Sequence, residues 1–435
     1  MFGGSPVTLP DHVALTAHSR LSGTIRAPGD KSISHRALIL SALTEGTSQI
    51  VGLSQGGDVA DTMRIVSELG AEVRREDHRI VVQSNPGRLR SSSQPLDCGN
   101  SGTGMRLLMG MVASIPGEHV LIGDASLSTR PMDRIATPLR TMGATVRGSG
   151  DSEHPPITIT GSHLHGIRYQ PPMASAQVKS ALLLAGLRAK GTTAIIETVP
   201  TRPHTEEMLA QAGAAITVEA HDDRTVIEIS PSSLRPQEWV VPADPSQAAF
   251  FVVAGTLSSE GSVTCTGLYG GATRVGFLGV LERMGAVLSE SRDFSGHLEV
   301  TSSPSTLQGT EIEAAEIPSL DEVPILAVAA AAAEGVTVFR DVGELRFKES
   351  DRLEATANLV RSLGAVARIE GEMLVVEGLG TARRFAPLEL RAEGDHRMAM
   401  AAAIAGTVGT GATIDGFSTV GSSYPNFLRD LEALT

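Results

Sequence analysis

The chain has 435 residues, with 49 acidic against 36 basic side chains and a formal charge of −13, which excludes the basic field that nucleic acid or an anionic membrane would require. Its 41% hydrophobic content supplies sizeable cores, and its length points to more than one domain. Two cysteines, Cys98 and Cys265, can build neither a disulfide framework nor a structural zinc site, as expected of a reducing cytosol.

The predicted elements recur along the chain. An Ala/Leu-rich helix, apolar nearly all round, is followed by a glycine and a β-rich stretch. An amphipathic helix then ends in an apolar residue, Gly and Ala before a hairpin. The first unit opens its buried helix at Gly29-Asp30-Lys31-Ser32-Ile33-Ser34-His35-Arg36, passes Gly46, and ends its second helix at Leu69-Gly70-Ala71. The second opens at Gly99-Asn100-Ser101-Gly102-Thr103-Gly104-Met105-Arg106, passes Gly117, carries Thr129-Arg130-Pro131-Met132-Asp133-Arg134, and ends at Met142-Gly143-Ala144. The third has Ser175-Ala176-Gln177-Val178-Lys179, Gly191, Thr201-Arg202-Pro203-His204 and Ala212-Gly213-Ala214, then a hairpin turning at Asp222-Asp223. The fourth passes Gly261 and ends at Met284-Gly285-Ala286. The fifth carries Ser319-Leu320-Asp321-Glu322, Gly335, Lys348-Glu349-Ser350-Asp351-Arg352 and Leu363-Gly364-Ala365. The sixth has Gly394-Asp395-His396-Arg397 and Gly411, and the chain stops in the helix Phe427 to Leu434.

The first glycine series is spaced by 71, 74, 70, 74 and 76 residues and the second by 73, 70, 72 and 79, a period too regular for chance. Glycine just past a helix end enters the left-handed region without steric cost. Six units imply two pseudo-threefold α/β domains, each of three βαβαββ repeats enclosing buried helices. One is expected over 28-242 and the other over 1-27 plus 243-435, crossing at Ala27-Pro28-Gly29 and Val241-Pro242-Ala243, where Pro and Gly interrupt the pattern. Residues 1 to 12 are expected to be loose. The first 19 residues lack Lys and Arg, so no signal peptide is expected, and the longest apolar run, Ile325 to Ala333, is too short to span a bilayer.

The chemistry-bearing residues sit where helices begin. A helix N-terminus offers unpaired amides and a partial positive charge, a ready site for anions. Lys31, Arg36, Arg130, Arg202, Lys348, Arg352 and Arg397 add charge there, which on an acidic protein points to small polyanionic substrates bound where the two domains meet. Only four lysines (Lys31, Lys179, Lys190, Lys348) stand against 32 arginines, so a retained lysine suggests a role that arginine does not fill. Bland readings stand beside these: the Gly-Asn-Ser-Gly-Thr-Gly run as an ordinary turn, Pro131 and Pro203 in a first helical turn beside a solvated Arg, His35, His204 and His396 as surface or capping residues, and the cysteines as small core residues. No metal-ligand spacing is present.

Lys31-Ser32-Ile33-Ser34-His35-Arg36, Gly99-Asn100-Ser101-Gly102-Thr103, Ser128-Thr129-Arg130-Pro131-Met132, Ser175-Ala176-Gln177, Lys348-Glu349-Ser350-Asp351-Arg352 and Asp395-His396-Arg397-Met398-Ala399 together resemble the 5-enolpyruvylshikimate-3-phosphate synthases, from about residue 20 to the C-terminus. The resemblance implies an inside-out α/β barrel in each of two domains. It also implies transfer of the enolpyruvyl group of phosphoenolpyruvate to the 5-hydroxyl of shikimate 3-phosphate, in the shikimate pathway to chorismate and the aromatic amino acids. By similarity, Lys31, Ser32, Arg36, Ser175, Gln177, Arg202, Asp321 and Lys348 would hold shikimate 3-phosphate. Lys31, Asn100, Gly102, Arg130, Gln177, Arg352 and Arg397 would hold phosphoenolpyruvate. Asp321, Glu349, Lys31 and Lys348 are the expected catalytic groups, with no metal or organic cofactor, and a cytoplasmic monomer is expected. Two departures stand out: Ser422 and Ser423 precede Tyr424-Pro425 where some relatives have a lysine, and Ala176 replaces a second serine. The sister transferase acting on UDP-N-acetylglucosamine usually has a cysteine before its Arg-Pro, whereas Asp124-Ala125-Ser126-Leu127-Ser128-Thr129 has none. A non-catalytic phosphometabolite-binding protein would not be expected to keep Asp321, Glu349, Lys31 and Lys348.

Overall fold

The computed structural model describes residues 9–380 and 384–435. Residues 1–8 of the stretch expected to be loose lie outside the described residues, whereas His12–Leu15 is a strand. In chain order the helices are α1 (Lys31–Ala42), α2 (Gly57–Glu68), α3 (Gly102–Val112), α4 (Asp133–Thr141), α5 (Ala176–Gly186), α6 (His204–Gln211), α7 (Pro245–Leu257), α8 (Ala272–Arg283), α9 (Val323–Ala332), α10 (Arg352–Ser362), α11 (His396–Val408) and α12 (Phe427–Glu432). Odd-numbered helices are apolar nearly all round and buried; even-numbered ones bury one face. The eleven repeat glycines all have φ between 83° and 115°, so each takes the conformation that lets the chain turn from helix into strand.

Each repeat builds one small sheet. In the second, Leu96–Asp97 runs parallel to Gly117–Ile122, which pairs antiparallel with His154–Gly161, itself paired with Thr145–Ser149. Two repeats exchange their first strands: Gly23–Ile25 runs beside Val263–Leu268, and Glu238–Val240 beside Gly46–Val51. The sixth sheet has three strands, and there His12–Leu15 pairs antiparallel with Ala412–Asp415 at the position a hairpin strand takes in the other sheets.

The chain divides into two compact units, Lys31–Val241, and the residues up to Asp30 together with Pro242–Thr435. In the first, α3 packs against α1 and α5. A Cβ on Gly110 would lie 2.1 Å from the backbone oxygen of Ala181, so only glycine allows α3 and α5 to come this close. In the second, α7, α9 and α11 pack on one another, and Phe427 anchors α12 among Phe250, Phe251, Phe417 and Tyr424. Buried Arg274 clamps the chain crossing, forming ion pairs with Asp30 at 2.8 Å and Asp244 at 2.7 Å. Burial opposes its charge, and the two aspartates more than offset that. No described helix is long and apolar enough to cross a membrane.

Candidate active site

In the unit Lys31–Val241 the charged side chains gather at the starts of the buried helices. Lys31 opens α1 and donates from Nζ to Asp58 of α2 at 3.0 Å. Arg36, one turn on, is buried and positioned by three bonds: Nε donates to Thr205 Oγ1 (2.6 Å), Nη1 to the Ser32 carbonyl (2.9 Å) and Nη2 to Ser180 Oγ (2.7 Å). His35 lies between them, bonded to Thr62 (2.7 Å) and Ser101 (3.3 Å). Burial, then Lys31 and Arg36, lower its pKa to about 3, so the imidazole is neutral at physiological pH.

Ser101 caps α3 by accepting from Gly104 N at 3.0 Å, which leaves Asn100 and Gly102 at the helix mouth. Asn100 donates to Asp124 (2.6 Å) and accepts from Arg130 Nη2 (2.8 Å), so its amide orientation is fixed from both sides. Gln177 is fixed in the same way: Arg106, which can only donate, binds Oε1 at 2.7 Å, and Nε2 donates to Thr103 at 2.9 Å. A Cβ on Gly102 would approach Arg130 Nη1 at 3.1 Å and Arg106 Nη1 at 3.2 Å, which ties this glycine to the placement of both guanidinium groups. Ser175 caps α5 through Val178 N, and half-buried Arg202 lies on the segment entering α6. Pro131 and Pro203 precede the first helical residues Asp133 and His204, so neither occupies the first helical position.

In the other unit one guanidinium organises the carboxylates. Arg352, at the first position of α10 and wholly buried, donates from Nε and Nη2 to both oxygens of Asp395 (2.8 and 3.0 Å), from Nη1 to Asp321 (3.1 Å), and from Nη2 to Glu349. Burial works against its charge, and Asp395, Glu349 and Asp321 outweigh burial. Burial likewise works to raise Asp395, yet Arg352 holds that carboxyl below the ordinary range. Asp395 also caps α11 by accepting from Arg397 N at 2.9 Å. Buried Arg397 donates to the Ser246 carbonyl (3.0 Å) and lies 3.7 Å from Asp321 Oδ2. Lys348 donates to the Ser319 carbonyl at 3.2 Å. Between Ser319 and Asp321, Leu320 has φ of 57°, a conformation that costs a leucine about 1 kcal/mol or more and here sets the direction from which Asp321 leaves the backbone.

The expected residues thus fall into two groups. Lys31, Ser32, Arg36, Asn100, Gly102, Arg130, Ser175, Gln177 and Arg202 belong to Lys31–Val241, whereas Asp321, Lys348, Glu349, Arg352 and Arg397 belong to the other unit. In the sequence Asp395, Arg106 and Asp124 stand only inside quoted stretches with no role assigned, and Asp58 carries no signal of its own. Their signal, an acidic side chain beside an expected cation, is visible only once helices are paired in space. Among the described residues no group of three or more His, Cys, Asp or Glu could hold a metal ion.

Comparison with known proteins identifies the family. The family model for EPSP synthase (3-phosphoshikimate 1-carboxyvinyltransferase) matches residues 15–431. A 3-phosphoshikimate 1-carboxyvinyltransferase of Roseiflexus castenholzii is 44% identical over 430 residues, covering 97% of this chain and 99% of the relative. The solved EPSP synthase of Acinetobacter baumannii superposes with a TM-score of 0.84 at 36% identity, covering 98% of each chain. The enolpyruvyl transferase NikO of Streptomyces tendae shares the fold, with a TM-score of 0.77 at 22% identity over 97% of this chain and 96% of its own. The chain therefore belongs to the EPSP synthase family.

Proposed function

We propose that the helix-start cations of Lys31–Val241 and the carboxylate–arginine hub around Arg352 serve one reaction, enolpyruvyl transfer from phosphoenolpyruvate to the 5-hydroxyl of shikimate 3-phosphate. Each substrate carries a phosphate and a carboxylate, so both need charge-assisted and bidentate contacts. Lys31, Ser32, Arg36, Ser175, Gln177, Arg202, Asp321 and Lys348 hold shikimate 3-phosphate; Lys31, Asn100, Gly102, Arg130, Gln177, Arg352 and Arg397 hold phosphoenolpyruvate. The observation that carries the reading is the hub itself, in which Asp321 and Glu349 share the Arg352 guanidinium as separate carboxylates available for separate proton transfers.

The steps follow from the chemistry of an enol phosphate. Protonated Glu349 gives its proton to the methylene carbon of phosphoenolpyruvate, making a methyl group and a cationic carbon. The 5-hydroxyl attacks that carbon while Asp321 takes the hydroxyl proton, and a tetrahedral ketal forms. Glu349 then removes one of the three methyl protons as the carbon–oxygen bond to phosphate breaks, and the proton held by Asp321 leaves with phosphate. Lys31 and Lys348 stabilise charge on the departing group. Chorismate and the aromatic amino acids lie downstream of this product. The protein works as a cytoplasmic monomer without metal or organic cofactor.

Phosphate release from phosphoenolpyruvate, measured in parallel with shikimate 3-phosphate and with UDP-N-acetylglucosamine, tests the reading. Release only with shikimate 3-phosphate is expected. Release only with the nucleotide sugar, or with neither, would overturn it.

A further inference from the structure

Lys179 is one of four lysines in an arginine-rich chain, and the reaction above makes no use of it. Its side chain is 1% exposed, and its Nζ lies 2.9 Å from Glu197 Oε2 and 2.6 Å from Glu206 Oε1, both carboxylates being buried as well. Glu197 is the last residue of the strand Thr193–Glu197, and Glu206 lies in the first turn of α6. The segment 198–203 between them has no regular structure, and it carries Arg202. One buried ammonium therefore holds both ends of the loop. A third tie closes it, because Thr201 Oγ1 donates to the other oxygen of Glu197.

The neighbouring residue extends the arrangement. Ser180 Oγ and Thr205 Oγ1 are 2.6 Å apart, and both receive hydrogen bonds from Arg36. Two successive residues of α5 thus register two anion-binding arginines on the helix whose first turn carries Gln177 and whose cap is Ser175. A compact ammonium reaches two carboxylates at once in a space where a planar guanidinium would need a fixed fork, which accounts for lysine at this position. The arrangement is stiff because a buried cation with two carboxylates strongly resists loss of any member.

We propose that Lys179, with Glu197 and Glu206, is a positioning lock for the shikimate 3-phosphate half of the site, setting Arg202 through the two ends of its loop and Arg36 through Ser180 and Thr205; this rests on the assignment of Arg36 and Arg202 to that substrate. Lys179 touches no substrate. Its effect is confined to how the two arginines are presented.

Lys179→Met would leave two buried carboxylates without a cation and is a poor probe, because it threatens the fold. Glu206→Met removes one anchor and leaves the neutral Lys179–Glu197 pair intact. Loss of a fixed Arg202 should raise KM for shikimate 3-phosphate about tenfold, the equivalent of about 1.4 kcal/mol. KM for phosphoenolpyruvate and kcat should stay within about twofold, and amide hydrogen exchange across 198–205 should quicken. Glu206→Gln, which keeps an acceptor for Lys179, should restore most of the affinity. A general loss of packing would move both KM values and kcat together, and that result, or unchanged shikimate 3-phosphate affinity in Glu206→Met, overturns the lock. Arg202→Ala measured alongside separates the two claims. A raised KM there with an unchanged one in Glu206→Met overturns the lock alone, whereas an unchanged KM in Arg202→Ala overturns the site assignment beneath it.

Discussion

His35 shows how a single side chain ties the site to stability. Its folded pKa of about 3 lies below the ordinary value of 6.5 because burial, then Lys31 and Arg36, disfavour the imidazolium. Above pH 6.5 the ring is neutral in both folded and unfolded chains and contributes no pH dependence. Below it the unfolded chain binds a proton that the folded chain refuses, so stability falls from about pH 6.5 down to about pH 3, at about 1.4 kcal/mol per unit of difference. Thermal midpoints measured across this range should fall more steeply for the wild type than for His35→Gln; parallel curves would contradict the burial argument. At this scale the sequence was generous with cations and poor with their partners. Lys31, Arg36, Arg130 and Arg352 stand in short strings that a reader can pick out. Asp58, Asp124 and Asp395 become partners only when segments distant in sequence meet, and Asp395 stands in the sequence only inside a motif.

At the scale of elements, the site depends on helices brought close enough for their first turns to cooperate. Gly110 permits the approach of α3 and α5, and Gly110→Ala would place a methyl group 2.1 Å from the Ala181 oxygen. Prising the helices apart should cost about 1–3 kcal/mol or more. It should lower the thermal midpoint and loosen the Arg106–Gln177 and Gln177–Thr103 bonds that run between the helices, raising the KM values for both substrates. An unchanged midpoint in calorimetry would show that the contact is not tight. Helices were legible because apolar periodicity and the Gly-Ala ends are local signals. The left-handed Leu320 was not legible, since a leucine gives no hint of that conformation and only tertiary packing enforces it beside Asp321.

At the scale of the whole molecule, the repeat period points to six units but not to which strand joins which sheet. Gly23–Ile25 precedes the first repeat in sequence yet completes the sheet of the fourth, and Glu238–Val240 does the converse. Such exchanges are long-range pairings, and local pattern carries no record of them. As a result, every strand of the three sheets in Lys31–Val241 comes from that stretch itself. Expressed alone, residues 31–241 should fold cooperatively, with near-ultraviolet circular dichroism of a packed core, and should release no phosphate because Asp321 and Glu349 are absent. A fragment without cooperative unfolding would contradict the closure of its sheets.

The central claim is that Glu349 carries the methylene proton in an addition–elimination. The most direct test is turnover of phosphoenolpyruvate and shikimate 3-phosphate in deuterium oxide, reading the vinyl protons of the product by NMR. Because the methylene passes through a methyl group, wild-type product should carry deuterium at the vinyl position. Glu349→Gln should lose both turnover and exchange into phosphoenolpyruvate, while Asp321→Asn should lose turnover. Deuterium entering the methylene at the wild-type rate in Glu349→Gln would contradict the account.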